Sequence, residues 1–140
     1  LVPLGKAKVV RAGGDVTLIA SAMMVKQALR AARTLEAEGI GAEVVDLRTI
    51  APLDRETILA SARKTGRVVV ACEAVRTGGS ANDVVALIAE EAFDALRGPI
   101  RRVAPPSMPV PFHRRLEGRF MPGPDQIAAA ARSLLHPPEG

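Results

Sequence analysis

Two carboxylates stand where an α/β sheet would put chemistry. Asp46 closes the run Ala42-Glu43-Val44-Val45, and Glu73 directly follows Val68-Val69-Val70-Ala71-Cys72. A parallel sheet binds ligands beyond the C-terminal ends of its strands, where strand order reverses, so these two positions and the loops after them are the first to inspect. Glu73 is the sharper case. A carboxylate placed straight after a valine-rich strand is costly to leave unpaired and should meet a cation or backbone N–H groups. Arg76, three residues on, is one candidate. With no nucleophile, base and orienting group around Glu73, a structural ion pair that fixes a loop or a domain interface is preferred to general acid–base work.

Other chemistries have less to draw on. Neither strand-end loop carries G-x-G-x-x-G or G-x-x-x-x-G-K-[ST]. The glycine pairs in Ala12-Gly13-Gly14 and Thr77-Gly78-Gly79 are read as turns needing positive φ, before any anion cradle. The two histidines, His113 and His136, and the single cysteine sit in unrelated contexts, with no H-E-x-x-H and no C-x-x-C, so no metal site is expected. Cys72 reads as a small buried hydrophobe at a strand end, and His113, among prolines beside Arg114-Arg115, as a surface-loop residue. The chain reads as a domain without its own catalytic centre.

The elements that would hold these residues are legible from periodicity. Lys8–Arg11 and Val16–Ser21 read as strands around a turn at Ala12–Asp15. A helix follows from Met23 to Glu38, with Val25, Ala28, Leu29, Ala32 and Leu35 facing inward and Gly39 terminating it. Ala42–Leu47 is a strand. Leu53-Asp54 opens a second helix, Asp54 as cap and Leu53 packing on Ile58, and Lys64-Thr65-Gly66 ends it. Arg67–Cys72, apolar without alternation, should be covered on both faces and lie centrally. Ser80 caps a third helix, with Asp83 three residues on; Val84, Ile88 and Ala92 line its face and Gly98-Pro99 stop it. Ile100–Ala104 is a fifth strand, and Asp125–His136 a last helix burying Ile127, Ala130, Ala131, Leu134 and Leu135. Between them, Pro105–Pro124 holds six of the eleven prolines and is expected to be an extended surface segment making much of one partner patch.

Strands alternating with helices imply an open, mostly parallel sheet with helices on both faces, forming one α/β domain over residues 1–140. Nineteen Lys and Arg against fifteen Asp and Glu give +4, scattered without a basic block. With three Phe, no Trp and no Tyr, the chain has few stacking platforms, which counts against nucleic-acid and carbohydrate readers. No apolar run approaches the ~20 residues a membrane span needs. One cysteine fits a reducing cytoplasm, and the first residues do not read as a secretory leader.

Long motifs then bring in a family. Glu43 to Asp54, EVVDLRTIAPLD, and Lys64 to Gly79, KTGRVVVACEAVRTGG, resemble the C-terminal domain of the beta subunit in the decarboxylating component of 2-oxo acid dehydrogenases. That group includes the pyruvate, branched-chain 2-oxo acid and acetoin enzymes. The opening PLGKAKVVRAGGDVTLIA is similar to the segment after the pyrimidine-binding domain of those subunits. IAEEAFDALRGPIRRV and the P-x-P followed by Leu116-Glu117 match too. The chain differs from the usual pattern in having Cys72 in place of a histidine, and Gly79-Ser80-Ala81-Asn82-Asp83 in a stretch that usually ends in glutamate.

The resemblance implies a transketolase C-terminal-type fold with five strands, one of them antiparallel, and a chain that is a fragment of a longer beta subunit. It implies no cofactor in this domain, with thiamine diphosphate and Mg²⁺ held elsewhere in the full enzyme, and an isolated domain that is inactive. Implied partners are an alpha subunit and a second beta subunit (α2β2), and the subunit-binding domain of the acyltransferase core. Carried over, the interface positions are Glu73, Arg76, Gly78, Gly79, Pro109, Pro111, Leu116 and Glu117. The matching domain of a transketolase or deoxyxylulose-phosphate synthase is the alternative enzyme reading. A free-standing flavodoxin-like signalling domain is the non-enzyme one; a receiver needs an acidic pair and a lysine where Ala20-Ser21 and Pro105-Pro106 stand.

Overall fold

The computed structural model describes residues 3–73, 81–105 and 121–137. Five strands, β1 (Lys8–Arg11), β2 (Val16–Ala20), β3 (Ala42–Asp46), β4 (Val68–Ala71) and β5 (Arg101–Val103), form one sheet in the order β1-β3-β2-β4-β5. The β3–β2, β2–β4 and β4–β5 pairs are parallel, and β1 runs antiparallel to β3. This is the open, mostly parallel sheet that the alternation of elements implies, with the one antiparallel strand that the family resemblance implies. The turn after β1 makes no hairpin: the chain leaves β1 on the outer side of β3 and re-enters as β2 on its inner side.

That passage explains Gly13 differently from the expected positive φ, which neither Gly13 nor Gly14 adopts. A Cβ at Gly13 would lie 2.4 Å from the Ala42 carbonyl carbon and 2.6 Å from the Glu43 nitrogen. Only a residue without a side chain lets the turn lie that close to β3.

Four helices are present among the described residues: α1 (Met23–Ala37), α2 (Arg55–Thr65), α3 (Ala81–Glu91) and α4 (Pro124–Leu135). They divide between the two faces. Val16, Leu18, Ala20, Val44, Val69 and Ala71 pack with α1 and α4 in one core. Ile19, Val45, Val68, Val70 and Cys72 pack with α2 and α3 in the other. The unbroken valine run of β4 follows: successive side chains point to opposite faces, and both faces are dry.

Local signals set most helix ends. Asp54 caps α2 by accepting Thr57 N–H at 3.2 Å, and its second oxygen takes the Thr57 hydroxyl at 2.6 Å and Ala7 N–H at 2.9 Å. Burial pushes this carboxyl up, but the three donors together hold it below the ordinary aspartate value. Gly66 ends α2 at φ 70, its N–H on Ala62 O at 2.8 Å. A Cβ there would also lie 2.8 Å from Ala95 O.

Three expectations shift. α3 stops at Glu91, seven residues before Gly98-Pro99, and a 3₁₀ turn over Phe93–Ala95 follows. Ala92 is fully buried, and the turn brings Arg97 N–H onto Gly66 O at 2.8 Å, so a tertiary contact overrides the helical periodicity. On α1 the buried stripe is Met24, Ala28, Ala31, Ala32 and Leu35, while Val25 and Leu29 are only partly covered. On α4, Ala128 is buried and Ala130 and Leu135 only partly so. Ser80, the expected cap of α3, lies outside the described residues.

Candidate functional site

Strand order reverses between β2 and β4. From β2 the chain crosses through α1 to β3 on one side, and from β4 through α3 to β5 on the other. This is the position at which such sheets hold ligands. Its two C-terminal exits are Ser21-Ala22 after β2 and Cys72-Glu73 after β4.

The first turn of α1 lacks a cap of its own. Ala22, its N-cap residue, sits at φ 52, ψ −129 and offers no side-chain hydrogen bond. The cap comes from across the switch point, where Glu73 Oε1 accepts Met23 N–H at 2.9 Å. A carboxylate there satisfies an orphan donor and faces the positive end of the helix dipole. The expectation that Glu73 meets a cation or backbone N–H groups is met on the backbone side. Arg76, its alternative partner, lies outside the described residues. Glu73 also rims a hollow of ≈ 400 Å³ with Met23, Met24, Gln27, Met121 and Pro122.

Asp46 is engaged separately. It accepts Arg48 N–H at 3.1 Å, and the Arg48 guanidinium lies 3.5 Å away. Nothing joins Asp46 to Glu73, so the two strand-end carboxylates do not form a pair. Cys72 is buried in the α2/α3 core, with its N–H on Val103 O at 3.1 Å. His136 is exposed at the end of α4. Of the remaining expected interface positions, Gly78, Gly79, Pro109, Pro111, Leu116 and Glu117 lie outside the described residues, as do His113 and most of Pro105–Pro124.

The sequence reading missed a second polar cluster under α2. Glu43 is 3% exposed in the middle of β3. Its carboxylate accepts Ser61 Oγ–H at 2.6 Å and Lys64 Nζ at 2.7 Å. Ser61 Oγ in turn meets Thr17 Oγ1 at 2.9 Å, and Thr17 meets Thr65 Oγ1 at 2.8 Å and Ser61 O at 3.1 Å. Desolvation pushes Glu43 up, yet the Lys64 and Ser61 hydrogen bonds outweigh it and hold the carboxyl below its ordinary value. Ser61 is buried and its hydroxyl is engaged by Glu43 and Thr17, so this cluster binds α2 to the sheet. The available signal was Glu43 inside an otherwise apolar strand, a charge that needed a partner.

Among the described residues no group of three His, Cys, Asp or Glu side chains is placed to hold a metal ion, and no helix is long and apolar enough to cross a membrane. Among the described residues the switch point offers capping and surface contact, with no acid–base pair.

The family described as the transketolase C-terminal domain matches residues 5–127. The acetoin:2,6-dichlorophenolindophenol oxidoreductase subunit beta of Cupriavidus necator is 48% identical over 96% of this chain and 40% of its own length. For the pyruvate dehydrogenase E1 component subunit beta of Bacillus subtilis, identity is 45% over 96% of this chain and 41% of that protein. The 2-oxoisovalerate dehydrogenase subunit beta of the same organism is 44% identical over 96% and 41%. The chain therefore spans about 40% of the length of the curated relatives it matches. Among solved structures, a split-gene transketolase described as an inactive beta4 tetramer superposes with a TM-score of 0.83 at 35% identity, over 96% of this chain and 42% of that one. A 2-oxoglutarate:ferredoxin oxidoreductase from Magnetococcus marinus, at 15% identity and TM-score 0.61, shares the fold alone.

Proposed function

The chain belongs to the transketolase C-terminal domain family, and from that premise we propose that it is the assembly domain of a thiamine-dependent 2-oxo acid or acetoin dehydrogenase beta subunit. The observation that carries the reading is the match of nearly the whole chain, at 44–48% identity, to about two-fifths of three such subunits. The full protein would decarboxylate its substrate through thiamine diphosphate and pass the acyl group to a lipoyl carrier, in the cytoplasm.

The start of α1 does not suit the cofactor. The N–H of Met23, at the helix terminus a diphosphate would seek, is already taken by a carboxylate that would repel it. In keeping with the family resemblance, thiamine diphosphate and Mg²⁺ are assigned to a pyrimidine-binding domain of the full subunit and to an alpha subunit. In this reading, Glu73 and the segments at 74–80 and 106–120 meet the alpha subunit, the second beta subunit and the acyltransferase core.

Calorimetry tests the division of labour. The 140-residue chain should give no heat with thiamine diphosphate and Mg²⁺; the chain joined to its pyrimidine-binding domain and mixed with an alpha subunit should decarboxylate a 2-oxo acid or cleave acetoin. Micromolar cofactor binding by the chain alone would overturn the reading. The split-gene transketolase match favours a second reading, one half of a ketol-transferring enzyme. Transfer between sugar phosphates without any lipoyl acylation would select it.

A further inference from the structure

The outward face of α1 carries a charge pattern that no described residue compensates. Met23, Lys26, Arg30 and Arg33 recur at spacings of three, four and three, so they share one stripe, and all four are exposed. No side chain of the three cations has an ion pair or hydrogen bond with a described residue. The acids of the neighbouring turns are already taken: Glu36 pairs with Arg11 at 2.6 Å and Glu38 with Arg132 at 2.8 Å. Like charges at i,i+3 and i,i+4 destabilise a helix. Apart from Glu73, whose carboxylate is engaged by the Met23 N–H at the stripe's end, no acid of the described residues faces it, so the stripe is suited to acids brought by something else.

The stripe starts at Met23, 73% exposed, which rims the methionine-lined hollow at the switch point together with Met24 and Met121. Flexible thioethers adapt to aliphatic side chains of varied shape. We propose that the α1 stripe and this hollow dock an acidic segment of a partner protein. An aliphatic side chain enters the hollow beside Gln27, and carboxylates lie over Lys26, Arg30 and Arg33. The surface suits a polypeptide better than other anions. It has no aromatic platform for bases, and three cations over roughly 10 Å of helix fall short of the ~4–8 that mark anionic membranes. The inference does not depend on the reaction the full protein performs.

The test is fluorescence anisotropy of the 140-residue chain with a short labelled peptide in which leucine is flanked by aspartate and glutamate. Lys26→Gln/Arg30→Gln/Arg33→Gln should weaken binding by about tenfold, at roughly 0.5 kcal/mol per exposed contact. Removing the same charge elsewhere, by Lys6→Gln/Lys8→Gln/Arg101→Gln, should leave affinity within about twofold. Met23→Ser should weaken it several-fold, with melting curves confirming that each variant is folded. The proposal is overturned by absence of binding, by equal losses in the two triple variants, by an unaffected Met23→Ser, or by tighter binding to oligothymidylate or phosphatidylglycerol vesicles than to the peptide.

Discussion

The Glu73 carboxylate, at the exit of β4, caps α1 by accepting the backbone N–H of Met23 at 2.9 Å, fifty residues away in sequence. It joins the two central strands' exits through one hydrogen bond. Glu73→Ala should cost about 1 kcal/mol, the usual value of a helix cap, and lower the melting temperature by about 3 °C. Glu73→Gln, which keeps an acceptor but loses the charge, should recover part of that. Differential scanning calorimetry of both variants separates them.

Ala22 should gain from losing its side chain. At φ 52, ψ −129 it occupies a region that costs a non-glycine residue of order 1–3 kcal/mol. Glycine adopts it freely, at about 0.5–1 kcal/mol of added chain entropy. Ala22→Gly is therefore expected to raise stability by about 0–2.5 kcal/mol, visible as a higher urea midpoint at unchanged slope. A lower midpoint would show that the turn is not strained.

Glu43 and Asp54 make stability fall in acid. Both have folded values held below those of the unfolded chain, so their contribution is complete above the unfolded values of 4.5 and 3.8 and is lost as pH falls through the folded ones. Melting temperatures should be level from pH 7 to about pH 5.5 and decline below that. Glu43→Gln should start lower, by about 1–3 kcal/mol, and decline less steeply, because one of the carboxyls held low in the fold is gone.

Thr17 tests the hydroxyl chain beneath α2. Thr17→Val keeps the shape of the fully buried side chain while removing contacts to Ser61 and Thr65. The expected cost is about 1–3 kcal/mol by equilibrium urea unfolding. A neutral result would mean that Ser61 and Thr65 satisfy one another without it.

What the sequence made legible was local. Asp54 capping α2, Gly66 ending it, and the valine run of β4 lying centrally each depend on residues a few positions apart. The cap of α1 was not legible, because Ala22 gives no sign of its donor and Glu73 could equally have been assigned to Arg76. Nor was the Glu43–Lys64 contact: Lys64 reads as a cation suited to a helix end, and only the packing of α2 on the sheet brings it to β3. The early end of α3 escaped for the same reason, since the contact between Arg97 and Gly66 that redirects the chain is a tertiary one.

Both borders of the sheet are poor templates for strand addition. β5 is three residues long, with Pro105 two positions beyond its end, and the register of β1 slips between Val9 and Arg11 while it carries Lys8 and Arg11. Short, charged and irregular margins resist hydrogen-bonding to a neighbouring backbone. Whatever this domain joins must therefore grip it through side chains on its helical layers and loops, and a freed copy should stay dispersed without zipping into ribbons.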